Sequence, residues 1–142
     1  MKGIVLDTHA FVWAADGEIH RFHPDVRKQL EAAMLEDRLY LAAISLWEVA
    51  MLIGKQRIGI GMPAEDWLDK ALRISGAQVI ALDTATAGLS GRLPLHGDPA
   101  DRLIVATAIT HGHTLCTQDE KILAYAVDHP ELRVLHLRGT GE

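Results

Sequence analysis

Short, unbroken apolar runs recur along the chain and constrain its fold more than any other feature. They are rich in Val, Ile and Leu and lie at residues 3–6, 39–43, 78–82, 114–116 and 133–137. Apolar and polar residues do not alternate strictly within them, which is typical of strands that are covered on both faces. The runs therefore predict a sheet of about five strands that is buried between two other layers.

Stretches with helical periodicity separate these runs. They lie at residues 25–34, 46–53 and 67–74 and between Pro99 and Gly112. Strands that alternate with helices predict an α/β three-layer sandwich, in which helices flank a central parallel sheet. In such folds the ligands bind beyond the carboxyl ends of the strands.

Composition and charge narrow the class of protein further. The chain has 142 residues, of which 49% are hydrophobic, and this predicts a single domain over residues 1–142. The single cysteine, Cys116, cannot form an internal disulfide, which favours a cytoplasmic location. No apolar run approaches the ~20 residues of a membrane span, so no membrane contact is expected. The formal net charge of −5 argues against a broad basic surface for nucleic acid.

Acidic residues follow the predicted strands at several separate places in the sequence. They are Asp7, Glu48, Asp98, Asp101 and Asp119. Because the carboxyl ends of parallel strands meet at one edge of a sheet, we expect these carboxylates to lie close together. Crowded carboxylates repel one another unless a cation lies between them, and hard oxygen ligands favour Mg²⁺ or Mn²⁺.

Each of these acids also has a structural interpretation. Asp7, Asp98 and Asp119 are suited to cap a following helix, and Pro99 strengthens the case for Asp98. Glu48 stands three residues after Ser45, as in a capping box in the first turn of a helix. Asp101 would lie in a first helical turn, where the helix dipole favours a carboxylate. These interpretations do not explain why acids follow several strands at one edge.

The remaining chemically capable side chains give weaker signals. The eight histidines show no zinc-binding spacing and are expected to be solvated or structural, with His9 as an exception because it follows Asp7 closely. Trp13, Trp47 and Trp67 are predicted to pack on apolar helical faces rather than to stack on bases. Cys116 lies within a predicted buried strand and is not expected to be a nucleophile.

Four segments together resemble the PIN-domain nucleases, and within them the VapC toxins of prokaryotic toxin–antitoxin modules. The segments are Ile4-Val5-Leu6-Asp7-Thr8-His9 with Trp13 close behind, Ser45-Leu46-Trp47-Glu48-Val49-Ala50, residues 98–108 beginning Asp98-Pro99-Ala100-Asp101, and Leu115-Cys116-Thr117-Gln118-Asp119. Each segment is weak by itself, but their order in a chain of this length is specific. The resemblance covers nearly the whole chain.

The resemblance implies a function and a set of roles. It implies an Mg²⁺- or Mn²⁺-dependent endoribonuclease that forms a homodimer and is inhibited by a cognate antitoxin. By position, Asp7 and Asp101 would hold the metal, and Glu48 and Asp119 would complete its ligand shell. The secondary residues are Thr8 and Thr117, which match hydroxyl positions that steady the acids, and Asp98, which resembles a helix cap near the site.

Two other functions remain open at this point. An aspartyl-phosphate phosphatase also places an aspartate after its first strand, but it needs a second aspartate where this chain has His9. The second alternative is a module that binds RNA or protein without catalysis, in which the acids would have no catalytic role.

Surfaces for partners and phosphates are also predicted. Residues 46–53 and 11–15 carry many apolar side chains, which indicates a groove for an antitoxin segment or a dimer contact, although core packing is favoured for any single one of them. Lys55, Arg57, Arg92 and Arg102 are candidates for phosphate contacts, although Arg102 is equally suited to pair with a neighbouring acid.

Overall fold

The computed structural model describes residues 2–55, 61–95 and 97–139. The strands are β1 (Ile4–Leu6), β2 (Leu39–Ala42), β3 (Gln78–Ile80), β4 (Thr114–Thr117) and β5 (Val134–His136). The helices are α1 (Thr8–Ala15), α2 (Pro24–Leu35), α3 (Ala43–Gly54), α4 (Ala64–Ser75), α5 (Thr84–Arg92), α6 (Pro99–His111) and α7 (Glu120–Asp128), with a short 3₁₀ turn at Ile19–Arg21.

The five strands form one parallel sheet in the order β3-β2-β1-β4-β5. Val5 in β1 pairs with Tyr40 in β2 on one side and with Leu115 in β4 on the other. This confirms the predicted α/β sandwich and all five predicted strands. The edge strands β3 and β5 are only partly covered, whereas most residues of β1, β2 and β4 are buried.

The alternation of side chains along β1 divides the core into two halves. Ile4 and Leu6 pack on the face that α1, α2, α3 and α4 cover. Val5 points to the opposite face, where α6 and α7 supply Ile104 and Ile122. Because each face buries a continuous apolar layer, the sheet is the middle of three layers.

Two features of the helices differ from the sequence prediction. The helix α3 begins at Ala43, directly after β2, and Ala42 caps it without a side-chain hydrogen bond. Ser45 and Glu48 are therefore inside the helix, so the capping box and the first-turn position of Glu48 are wrong. The helix α5 was not predicted, since its glycines and threonines are weak helix formers, and its packing against α6 supplies the missing stability.

The turn after α6 agrees with the sequence. Gly112 caps this helix with φ 71°, a left-handed conformation that glycine adopts without steric cost. Within the described ranges, no helix is both long and apolar enough to cross a bilayer.

The apolar stretch at residues 11–15 is largely core rather than a free surface. Phe11 is fully buried and Val12 nearly so, and the ring of Phe11 meets that of Trp67 edge to face at 6.0 Å. The prediction of a partner groove in this stretch was wrong for these residues. The reason is that α1 follows β1 directly and is pressed between the sheet and α4.

The burial of Phe11 gives a prediction about stability. Phe11→Ala removes a fully buried ring and should lower the free energy of unfolding by about 3–5 kcal/mol, measured by urea denaturation. Leu35→Ala is the matched control, because Leu35 is 79% exposed and its loss should cost less than about 0.5 kcal/mol. Equal losses in the two variants would contradict this account of the core.

Candidate active site

The candidate site lies where the sheet order reverses direction. The strands β2 and β3 lie on one side of β1, and the later strands β4 and β5 lie on the other side. Asp7 directly follows β1, and Asp119 comes two residues after the end of β4. Because β1 and β4 are neighbours, Asp7 and Asp119 lie at the same edge of the sheet although they are far apart in the sequence. Ligands of parallel sheets bind at such switch points.

Asp7 is the most enclosed of the acids. Its side chain is 9% exposed; Oδ1 accepts a hydrogen bond from the backbone N–H of Ala10 at 2.8 Å, and Oδ2 accepts one from the hydroxyl of Thr117. Burial raises the pKa of Asp7 above its ordinary value, whereas the Thr117 and Ala10 hydrogen bonds lower it again. Asp7 is therefore both the cap of α1 and a buried carboxylate at the end of β1.

Thr117 connects two of the acids. Its hydroxyl donates to Asp7 and accepts the backbone N–H of Asp119 at 3.0 Å. Oδ1 of Asp119 in turn caps α7 by accepting from the N–H groups of Lys121 and Ile122. The end of β4 and the start of α7 are thereby fixed relative to Asp7.

Glu48 reaches the site from the second turn of α3. The hydroxyl of Thr8 donates to Oε1 of Glu48, and its oxygen lies 3.0 Å from the hydroxyl oxygen of Ser45. Because Thr8 and Ser45 are both buried, this contact orients the Glu48 carboxylate from the interior of the protein. Thr8 and Thr117 thus each touch one acid from a neighbouring element.

The start of α6 carries the remaining two acids. Oδ1 of Asp98 accepts from the N–H of Ala100 at 2.8 Å and Pro99 occupies the first turn, so the predicted cap is present. Asp101 lies in the same turn and is partly exposed. The capping interpretation holds for Asp7, Asp98 and Asp119 together.

The electrostatics of Asp101 show that the acids face one another. Its pKa is raised to about 7, first by burial and then by the negative charges of Asp119, Glu48, Asp98 and Asp7. These charges come from the ends of β1 and β4 and from α3 and α6. The structure therefore brings together all of the acids that the sequence predicted.

The acids line a cleft of about 480 Å³. Its lining also includes side chains that were not predicted as site residues, namely His9, Trp13, Ile104 and Gln118. The prediction that Trp13 packs on an apolar face is confirmed, since Trp13 packs against the core, and part of its surface also borders this cleft. Its position four residues after His9, on the helix that begins at Thr8, was the sequence signal for this second contact.

Three of the four predicted basic contacts lie outside the lining of this cleft. Arg102 turns away from Asp101 and donates hydrogen bonds to the carbonyl oxygens of Ser90 and Leu95. It therefore fixes the segment that leads into α6 rather than an acid or a phosphate. Lys55 and Arg92 also lie outside the lining, and Arg57 lies outside the described residues.

Cys116 shows no features of a nucleophile. It is fully buried in β4, and burial together with the charge of Asp7 raises the pKa of its thiol. A buried neutral thiol is inert, as the sequence predicted.

The donors of the cleft suit a hard, partly hydrated cation. They are almost all carboxylate oxygens, which Mg²⁺ and Mn²⁺ prefer. In the part of the chain that the structure describes, no group of three or more His, Cys, Asp or Glu side chains is placed so that it could hold one metal ion. Mg²⁺ usually keeps several waters and takes one or two carboxylates, so such an open set fits it.

Comparison with known proteins decides the family. The family model described as PIN domain matches residues 4–128. The chain belongs to the PIN domain family. Ribonuclease VapC22 of Mycobacterium tuberculosis is 34% identical over 133 residues, covering 92% of this chain and 97% of that protein. The resemblance stated from the sequence motifs is thereby confirmed.

Solved structures share the PIN fold of this chain. VapBC2 from Rickettsia felis, bound to a DNA fragment from its promoter, has a TM-score of 0.69 at 20% identity, covering 94% of this chain and 97% of the other. DNA-bound VapBC from Salmonella typhimurium has a TM-score of 0.66 at 20% identity, covering 96% and 99%. The parallel sandwich is thus common to these proteins despite their low identity.

The raised pKa of Asp101 predicts how stability depends on pH without divalent ions. Folded protein keeps a proton on Asp101 up to a pKa of about 7, whereas the unfolded chain loses it near the ordinary aspartate pKa of 3.8. The free energy of unfolding should therefore fall as pH rises through this window. Asp101→Asn removes this loss, so its Tm in EDTA should fall less than that of the wild type between pH 5 and pH 8.

The control for this measurement is Asp69→Asn. Asp69 is exposed on α4 and does not line the cleft. Its substitution should leave the pH profile of Tm parallel to that of the wild type. A parallel profile for Asp101→Asn as well would contradict the crowding of the carboxylates.

Proposed function

We propose that this PIN domain is an Mg²⁺- or Mn²⁺-dependent endoribonuclease that acts as the toxin of a toxin–antitoxin module. The observation that carries the proposal is the convergence of Asp7, Glu48, Asp101 and Asp119 on one cleft at the switch point. The relative named as a ribonuclease supports the activity, since it matches over nearly the whole chain. Because cellular RNA is cytoplasmic, we place the activity in the cytoplasm.

Charge explains why the activity would depend on metal. An RNA phosphodiester is an anion, and a cleft lined by carboxylates repels it. A bound divalent cation reverses that repulsion, lowers the pKa of a water molecule and stabilises charge on the leaving oxygen. Cleavage of this type leaves a 5′-phosphate and a 3′-hydroxyl.

The placement of the residues supports a role for each in this proposal. Asp7 and Asp101 would hold the metal, because Asp7 is fixed at the end of β1 and Asp101 faces it from α6. Glu48 and Asp119 would complete or orient the ligand shell. Thr117 and Thr8 keep Asp7 and Glu48 in place through their hydroxyl groups. Asp98 caps α6 and so fixes the turn that carries Asp101.

The activity can be tested with purified protein and single-stranded RNA. Wild type should cleave the RNA in Mg²⁺ or Mn²⁺ and stop in EDTA, whereas Asp7→Asn should lower kcat/KM by about 100-fold or more. Asparagine still caps a helix, so the circular dichroism spectrum of this variant should be unchanged. Asp69→Asn, outside the cleft, should cleave at the wild-type rate.

The outcomes of this assay separate the competing functions. Intact RNA in every divalent metal would favour a binding module without catalysis. Covalent phosphate trapped on Asp7 would favour an aspartyl-phosphate phosphatase. An undiminished rate in Asp7→Asn would remove Asp7 from the catalytic machinery.

The partners proposed are a cognate antitoxin and a second copy of the chain. Two apolar grooves support such contacts. One of about 210 Å³ includes Trp47, Ile80 and Leu82, and Trp47 is 56% exposed on α3, the helix in which the sequence predicted a partner surface. Another of about 160 Å³ includes Ile19 and Ile74, which are also exposed. Exposed apolar patches of this kind mark protein contacts.

The role as a toxin can be tested by growth in a bacterial host. Induced expression of the wild-type chain should inhibit growth, and expression of Asp7→Asn should not. Co-expression of the short reading frame next to its gene should restore growth if that frame encodes the antitoxin. Normal growth with active wild-type ribonuclease present in the cells would contradict the toxin role while leaving the ribonuclease activity intact.

A further inference from the structure

One wall of the candidate cleft is formed by planar rings rather than by carboxylates. The helix α1 places His9 and Trp13 four residues apart on the side that faces the cleft. Their ring centroids lie 5.7 Å apart with an interplanar angle of 45°. His9 is exposed and close enough to Asp7 to lower the pKa of that carboxylate, so this wall begins beside the proposed metal ligand.

A cation packs on the ring of Trp13. Arg21, from the 3₁₀ turn after α1, places the central carbon of its guanidinium group 4.5 Å from the centre of the Trp13 ring. Its Nε donates to a carboxylate oxygen of Glu18 at 3.0 Å, which holds the guanidinium plane in position. We call His9 and Trp13, which line the cleft, the planar wall, and Arg21 packs on Trp13 from outside that lining.

Only part of the surface of the Trp13 side chain is buried in the core. Phe11 and Val12 take the buried positions of α1, whereas Trp13 is half-buried and its remaining surface borders the cleft. The charges around it are also arranged in a specific way. The opposite walls carry carboxylates, while Arg21 supplies a fixed positive charge at the indole.

We propose that the planar wall is a stacking subsite for an unpaired base next to the scissile phosphate of single-stranded RNA. This inference rests on the proposed ribonuclease function and adds a residue that positions its RNA substrate. Carboxylate walls cannot attract a phosphate by themselves, whereas every base has an uncharged face that stacks on an aromatic ring or a guanidinium plane.

The test measures coupling between Trp13 and a single base. Wild type and Trp13→Leu are compared on a single-stranded RNA and on copies in which each base near the cleavage point is removed in turn, with kcat/KM measured in Mg²⁺. Trp13→Leu should lower kcat/KM roughly 10-fold, within the range that one stacking contact gives, mainly through KM. Removal of one particular base should cause a similar loss in wild type and little further loss in Trp13→Leu.

A conservative variant separates stacking from structural damage. Trp13→Phe keeps a ring and should retain kcat/KM within about threefold of wild type, because a smaller ring still stacks. If Trp13→Leu does not fold, the Trp13→Phe variant and the base-removal series on wild type still decide the question. In that case wild type must still show a single base whose loss costs roughly 10-fold.

The results distinguish this inference from the proposed function. If wild type cleaves RNA but no base shows coupling to Trp13, the stacking subsite is wrong and the ribonuclease stands. If wild type cleaves no RNA in any divalent metal, the ribonuclease function itself fails, and this inference fails with it.

Discussion

A single buried carboxylate, that of Asp7, is the constraint on which the rest of the site depends. Burial of a charge is costly unless hydrogen bonds compensate it, and here the N–H of Ala10 and the hydroxyl of Thr117 do so. Those partners come from α1 and from β4, so the carboxylate is held only when both elements are in register with β1. The remaining acids are arranged around this fixed point.

Helix capping and metal chemistry are compatible uses of the same residues. In Asp7, Asp98 and Asp119 the cap is made by Oδ1, and a carboxylate has a second oxygen. Three helices therefore begin at the edge of the sheet with a carboxylate at each start. The helix N-termini stabilise these negative charges locally, which reduces the repulsion that the crowded acids would otherwise suffer.

Features that depend on local pattern could be predicted from the sequence. Apolar runs located the strands, Pro99 and Gly112 located the ends of α6, and the acids after strands located the cleft. Errors arose where a contact from elsewhere in the chain decided the outcome. Arg102 turns to the carbonyl oxygens of Ser90 and Leu95, and Glu48 bonds to Thr8, not to the start of its own helix.

The sequence by itself determined which residues are candidates for the site and which strand or helix each would follow, because periodicity and capping act over a few neighbouring residues. Tertiary structure alone decided the strand order, and with it which acids meet: β4 lies beside β1, so Thr117 reaches Asp7 across 110 residues. It also decided that Phe11 is core while Trp13 borders the cleft. Both residues are apolar members of one helix, and only the packing of that helix between sheet and α4 separates them.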